Sequence, residues 1–385
     1  MGKSAALELS PVELLVFQAT PFCNIDCKYC YLPDRASKSR ISLDTIRTTC
    51  RQLAADGLVS ATLDVLWHAG EPLVLPTDFY EAAFEIIGRE LAGVAIQHRF
   101  QTNATLLDAS WADFLRRHRV AVGISSDGPP RLHDRYRTTR AGRSTSAQVV
   151  AGVEALKRAG FEPHVICVLT RESIGSAYEL FEFFESIGVV SVGFNADQAG
   201  GPYAHSSHDG VDPLPRFRQF LRDYFRLVRE SGSKQHVREL TDGLKAVFKP
   251  EIQTSIEAVP LKVLTVSHSG DFGTFSPDLL GLRHPEFGEL TFGNVHEPEV
   301  FSRLREDARF ARVYNSICLG IQACERECGY FEVCKGGVPA AKFGEHGTFE
   351  ATETIACKFN RQAKTDAVVD LVLSGLLKAA DAVPA

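Results

Sequence analysis

Cys23, Cys27 and Cys30 fall within one short loop, directly after an apolar run that ends at Thr20. Three thiolates can hold an iron–sulfur cube and leave one iron open, and an open iron can chelate the amino and carboxylate groups of a methionine-type cofactor. A structural zinc site takes four protein ligands, and the loop contains no histidine to complete one. Its polar and charged residues, Asn24, Asp26 and Lys28 among them, argue against three inert core cysteines.

A second group, Cys324, Cys328, Cys334 and Cys357, crowds a glycine-rich C-terminal segment. Four cysteines saturate a second cluster, but tetrahedral zinc accepts similar spacings, so the pattern leaves both metals open. Cys318 fits no ligand position and reads as a buried thiol, while Cys50 and Cys167 sit alone in apolar patterns.

The first loop needs a scaffold that holds it at an open end. From Glu13 to Gly200, β-branched runs alternate with amphipathic stretches, the pattern of βα units on a parallel sheet. Strands are expected at Glu13–Thr20, Thr62–His68, Gln97–Thr102, Val120–Ser125, His164–Leu169 and Val189–Asn195. Helices fit between them: Ser42 with Thr45 opens one, and Phe79, Ala83, Ile86, Ile87 and Leu91 stripe the next. Further helices fit Ser146–Ala159 and Ala177–Ile187. Six such units predict an α/β fold, a partial (β/α)6 barrel over residues 1–200 with its ligands at the C-terminal strand ends. Residues 201–260 read as a helical linker or substrate-binding region, with helices at Arg216–Glu230 and Val237–Phe248. Residues 261–360 read as a separate cysteine-rich domain, a hairpin (Lys262–Ser267 with Asp271–Phe275) followed by coil, and 361–385 as a C-terminal helix over Gln362–Ala380 docked on the barrel.

Composition narrows the partners. The chain has 385 residues, 44% of them hydrophobic, and a net charge of −6, so no basic field points to nucleic acid or an anionic membrane surface. The apolar run Val12–Thr20 is too short to span a bilayer, and no secretion signal precedes it. A chain of this length without such a signal is not a disulfide-stapled miniprotein, which leaves metal ligation as the better use of its ten cysteines.

Cys23, Cys27, Cys30 and the aromatic Tyr31 resemble the CxxxCxxC signature of radical S-adenosylmethionine (SAM) enzymes. In that family, electron transfer from a 4Fe–4S cluster cleaves SAM, and the resulting 5′-deoxyadenosyl radical abstracts a hydrogen atom from substrate. His68-Ala69-Gly70-Glu71-Pro72 resembles the family's GGEP motif, with Ala69 for glycine, and the resemblance implies that Gly70 and Glu71 meet the methionine amino group. Gln101-Thr102-Asn103 resembles a QTNG segment near the ribose, with Ala104 for glycine. Ser125-Ser126-Asp127-Gly128-Pro129, with His133-Asp134 and Arg137, resembles SxDGP…HDxxR; Ser125 and Asp127 are then expected to face ribose and methionine, and Arg137 to fork onto the methionine carboxylate. For Glu71 the alternative is a helix-capping turn, and for the others ordinary turn residues or a surface ion pair.

The C-terminal cysteines resemble the SPASM auxiliary-cluster domain, which implies one auxiliary 4Fe–4S cluster on Cys324, Cys328, Cys334 and Cys357. Val338 and the segments Ser267–Asp271 and Ser276–Asp278 stand where that family carries further cysteines, so a second auxiliary cluster is not expected. The segment from Cys328 to Cys357, with Phe275–Gly281, is similar to maturases that build three-residue cyclophanes in ribosomally made peptides. The resemblance implies a crosslink from a β-carbon to an aromatic ring, a small precursor peptide as partner, a reductant such as flavodoxin or ferredoxin, and a reducing cytoplasm. Asp278 is the candidate proton acceptor if it faces the barrel mouth, a surface turn being the alternative. Leader recognition is expected at the barrel rim or within Gly200–Pro260. Two other readings stand beside this one: oxidation of a sulfatase Cys or Ser to formylglycine, and a non-enzymatic iron–sulfur or zinc-binding regulator.

Overall fold

The run Val12–Phe17 forms strand β1 and buries Leu15, Val16 and Phe17 completely, as a parallel strand covered on both faces must. The computed structural model describes residues 7–249 and 255–377. Five further strands stand at the expected places: β2 (Val59–Trp67), β3 (Ala95–Thr102), β4 (Ala121–Ser125), β5 (His164–Leu169) and β6 (Ser191–Ala196). They pair in parallel in chain order, so all their C-terminal ends meet at one rim.

The helices between them form for local reasons. Ser42 accepts the Thr45 N–H at 3.0 Å and starts the helix Leu43–Ala55, whose Ile46, Cys50 and Leu53 are buried. In the helix Thr77–Glu90, Tyr80 rather than Phe79 is the fully buried ring. Its hydroxyl donates to the Pro72 carbonyl at 2.8 Å, and it packs edge-on to Trp67 at 5.1 Å.

Beyond β6 the sheet gains a short strand, β7 (His236–Val237). At the other edge β8 (Val263–Val266) pairs in parallel with β1 and returns as the antiparallel β9 (Phe272–Thr274). The expected hairpin therefore forms, but as part of a nine-stranded sheet ordered β9-β8-β1-β2-β3-β4-β5-β6-β7, which crosses the boundary expected at residue 261. All four residues of β8 are apolar or β-branched and buried, the mark of a strand covered on both faces.

Residues 201–249 are packed rather than a free linker. The helix Leu214–Glu230 buries Phe220 and Tyr224, which meet Phe194 of β6 edge-on at centroid distances of 5.0 and 4.8 Å. The coil expected after β9 is corrected by a 20-residue helix, Ala308–Glu327, started where Asp307 accepts the Phe310 N–H at 2.8 Å. Its buried stripe runs Phe310, Val313, Ile317, Gly320, Cys324, a helical period carried partly by residues that read as turn and ligand. The last helix is Lys364–Leu373, shorter than expected: a π turn precedes it, and Gly375, at φ +76°, ends it. It lies against the helices Leu214–Glu230 and Arg238–Phe248, and residues 378–385 are outside the described part.

Candidate active site

The cysteine loop is tied down by backbone and by arginines. Ile25–Cys27 forms a small antiparallel ladder with Arg137–Thr139. Arg35 Nη1 donates to the Cys27 carbonyl at 3.1 Å, and Arg140 Nε to the Cys23 carbonyl at 3.0 Å. The turn after β2 presses on the loop from the other side: Glu71 N–H donates to the Phe22 carbonyl at 2.8 Å. A Cβ on Gly70 would stand 2.2 Å from the Thr20 carbonyl oxygen and 2.7 Å from that of Phe22, and Gly70 has φ +63°. Gly70→Ala is therefore expected to destabilise the protein by about 2 kcal/mol or more and to lower the iron retained after anaerobic reconstitution. Denaturant unfolding with iron analysis checks this, and parental values for both would refute it. Ala69 and Ala104, which replace the family's glycines, both hold left-handed backbone, at φ +70° and +58°.

Glu71 is buried and fully engaged. Its Oε1 accepts from Leu73 N–H at 3.0 Å and from the Thr102 hydroxyl at 2.6 Å, and its Oε2 from Asn103 N–H at 2.8 Å. It thus caps the 3₁₀ turn Pro72–Val74 and also stitches β2 to β3, while burial pushes its carboxyl up to about 7. Asn103 Nδ2 donates to Asn24 Oδ1 at 2.9 Å and stands 3.7 Å from Cys23 Sγ, clamping the loop to the end of β3. Gln101 Nε2 donates to Ser125 Oγ at 2.9 Å.

Asp127 stands differently from expectation. Its Oδ2 accepts from Arg137 Nε at 3.0 Å and from the Tyr29 hydroxyl, and its Oδ1 from Val168 N–H at 3.0 Å. With those partners it sits behind Arg137 and off the cavity wall, joining β4 to β5. Arg137 is likewise committed on one edge, its side chain 8% exposed against 4% for Asp127, and its Nη1 lies 3.9 Å from Cys27 Sγ. Tyr29, absent from the expected site, also stacks on Tyr136 at 5.7 Å and lies under the Arg137 guanidinium at 5.3 Å. Its position between the second and third cysteines was the available signal.

These elements enclose a cavity of about 440 Å³ at the strand ends. Cys23, Cys27, Cys30, Tyr31, Gly70 and Glu71 line it, together with Gln101, Asn103, Ser125, Arg137 and Asp278. Asp278 reaches it because the turn Pro277–Leu279 follows directly on β9, and Gln18 Nε2 holds that turn by donating to the Pro277 carbonyl at 3.3 Å. The Tyr31 hydroxyl sits beside the Asp278 carboxyl and stands 3.2 Å from His68 Nε2. Burial lowers His68 to about 4, so its ring is neutral near pH 7. Burial also pushes the Asp278 carboxyl up to about 6.

Three free thiols facing one cavity suit an iron–sulfur cube. Burial pushes Cys23 up to about 12 and Cys27 to about 11, so ligation in the thiolate form releases protons. Among the described residues no three Cys, His, Asp or Glu side chains gather tightly enough for a single metal ion; a cube takes its thiolates at separate corners and needs no such convergence.

Cys324, Cys328, Cys334 and Cys357 line a second, small void. Lys335, Gly336 and Gly337 take left-handed backbone in succession, at φ +56°, +103° and +77°, which turns the chain sharply behind Cys334. Thr354 caps the turn carrying Cys357, whose N–H donates to its hydroxyl at 3.0 Å. Cys318, half-buried on the same helix as Cys324, lies near Tyr314 and does not line this void.

A parallel partial barrel with a three-cysteine loop at its strand ends, beside a cysteine-rich C-terminal region, defines an iron–sulfur enzyme of the radical-generating kind. The chain belongs to the radical SAM superfamily, whose family model matches residues 17–184. It is therefore an enzyme that uses a 4Fe–4S cluster and S-adenosylmethionine, and it carries an auxiliary domain. It shares 35% identity over 367 residues with the uncharacterized protein sll1766 of Synechocystis sp., covering 93% of this chain and 92% of that protein. It shares 24% identity with a serine-type anaerobic sulfatase-maturating enzyme of Bacteroides thetaiotaomicron, covering 90% and 87% of the two. In fold it is similar to anSMEcpe with bound AdoMet and Cp18Cys peptide (TM-score 0.76, 19% identity, covering 95% of this chain and 99% of that one). It is also similar to Streptococcus suis SuiB bound to precursor peptide SuiA (TM-score 0.61, 16% identity, 91% and 76%). Among the described residues no helix is long and apolar enough to cross a membrane.

Proposed function

We propose that the chain is a peptide maturase that abstracts a β-hydrogen from a ribosomally made precursor and joins that carbon to an aromatic ring two positions earlier, closing a three-residue cyclophane. The observation that carries this reading is a carboxylate, Asp278, that lines the same cavity as the cysteine loop. Loaded with its cluster and S-adenosylmethionine, the site supplies a 5′-deoxyadenosyl radical, and a single auxiliary cluster on the C-terminal cysteines supplies an electron acceptor. Cys23, Cys27 and Cys30 hold the first cluster. Gly70, Glu71, Asn103, Gln101, Ser125 and Arg137 shape the surface that orients the methionine and nucleoside portions, and Tyr31 fixes Asp278. Asp127 acts through Arg137 as a positioning residue.

After the β-carbon attacks the ring, the adduct must lose one electron and one proton to become aromatic again, a net loss of two hydrogens per crosslink. Asp278 takes that proton. It does so in its ionised form, so crosslinking kcat/KM is expected to rise with pH through about 6. Asp278→Asn is expected to slow crosslinking roughly 10²–10⁴-fold with 5′-deoxyadenosine formation intact. The assay is anaerobic turnover with a short synthetic peptide that carries an aromatic residue two positions before the residue to be crosslinked, read by mass spectrometry; crosslinking by Asp278→Asn at the parental rate would remove it from the mechanism. A reductant such as flavodoxin or ferredoxin and a reducing cytoplasm complete the reading.

The likeness to the Bacteroides sulfatase-maturating enzyme over most of the chain favours a second reading, oxidation of a sulfatase Cys or Ser to formylglycine. Its aldehyde product takes up a hydrazide probe and a carbon–carbon crosslink does not, which separates the two.

A further inference from the structure

One buried charge in the C-terminal region has no part in the chemistry proposed above. Lys342, on the helix Pro339–His346, is only 3% exposed. Its Nζ donates to the Gly320 carbonyl at 2.9 Å and stands 3.3 Å from Cys324 Sγ, its hydrogen-bond partners among the described residues. Gly320 makes the space: a Cβ there would lie 3.1 Å from Lys342 Nζ and 2.0 Å from the Phe349 carbonyl oxygen.

An ammonium taken out of water without a counter-charge costs several kcal/mol. A carbonyl dipole and a neutral thiol do not offset that, whereas a cluster-ligating thiolate does. Arg361 also borders the void, but no hydrogen bond ties it to a cysteine sulfur. We infer that Lys342 is the N–H···S donor and charge partner of Cys324 that raises the reduction potential of the auxiliary cluster, an inference that rests on the four cysteines holding that cluster. A cation and a hydrogen bond at a ligand sulfur favour the more negative, reduced cluster. That is the direction required of a centre that takes the single electron released as the ring rearomatises, while the proton leaves to Asp278.

The test uses the full chain with Cys23, Cys27 and Cys30 replaced by alanine, so that only the auxiliary cluster is titrated by EPR-monitored potentiometry. Lys342→Met is expected to lower its electron affinity tenfold or more, about 59 mV for a one-electron couple. Lys342→Gln, which keeps a donor without the charge, should fall between. An unchanged midpoint in a Lys342→Met protein with full iron content overturns the inference. If Lys342→Met loses its cluster, the parent chain labelled with ¹⁵N at the lysine side-chain nitrogen decides instead. Pulsed EPR of its reduced cluster should show a ¹⁵N coupling, and absence of coupling refutes the contact. An iron-free quartet in the parent chain overturns the cluster reading itself, a result distinct from an unchanged midpoint.

Discussion

Cys27→Ala takes 5′-deoxyadenosine formation to background, a loss of roughly 10³-fold or more and hence over ~4 kcal/mol of barrier. The loop supplies three thiols and no fourth protein ligand, so nothing nearby replaces the one removed. The effect should be specific to the cofactor. Cys27 joins the Arg137–Thr139 ladder through backbone, and its side chain faces the cavity rather than the core, so unfolding of the metal-free protein should shift by no more than about 1 kcal/mol. Anaerobic reduction with dithionite, followed by chromatographic detection of 5′-deoxyadenosine and iron analysis, tests both halves. Parental product levels from the variant would sink the assignment of this loop as the cofactor's holder.

Arg137→Met should cost about 3–5 kcal/mol of stability, because removing one partner leaves the other as an uncompensated buried charge. Asp127 would retain the Tyr29 hydroxyl and the Val168 N–H but lose the cation paired with it. The Tyr29 ring would lose the guanidinium packed on it as well. Adding Asp127→Asn to Arg137→Met removes the stranded charge and should recover part of the loss, giving a coupling energy of about 1–3 kcal/mol in the double-mutant cycle. Denaturant unfolding of the four metal-free proteins measures it. Additive effects would mean that the pair is not a unit, and that Asp127 serves its neighbours on β4 and β5 alone.

The barrel was legible because its signals are local. Apolar runs such as Val12–Phe17 and stripes such as Ile46, Cys50 and Leu53 repeat at the strand and helix periods. The hairpin's place in the sheet was not, since pairing of β8 with β1 joins residues about 250 positions apart through backbone alone. The helix Ala308–Glu327 was hidden because its buried stripe passes through Gly320 and Cys324, residue types whose local meaning is turn or ligand.

The site divides in the same way. Residue type and spacing by themselves pointed to a three-thiolate loop suited to a metal cube, and the resemblance to radical SAM motifs singled out Glu71, Gln101, Asn103 and Ser125, which the fold brings to the same cavity. Tertiary packing alone decided which oxygens remain free: Glu71 and Asp127 have theirs taken by neighbours, whereas Asp278 is carried to the cavity wall by a strand from the far end of the chain. It also brought Lys342 against Cys324. The physical reason is that thiolate ligation is a property of residue type. Hydrogen-bond partnership, desolvation and charge pairing depend on which distant segments the fold brings within about 3 Å of one another.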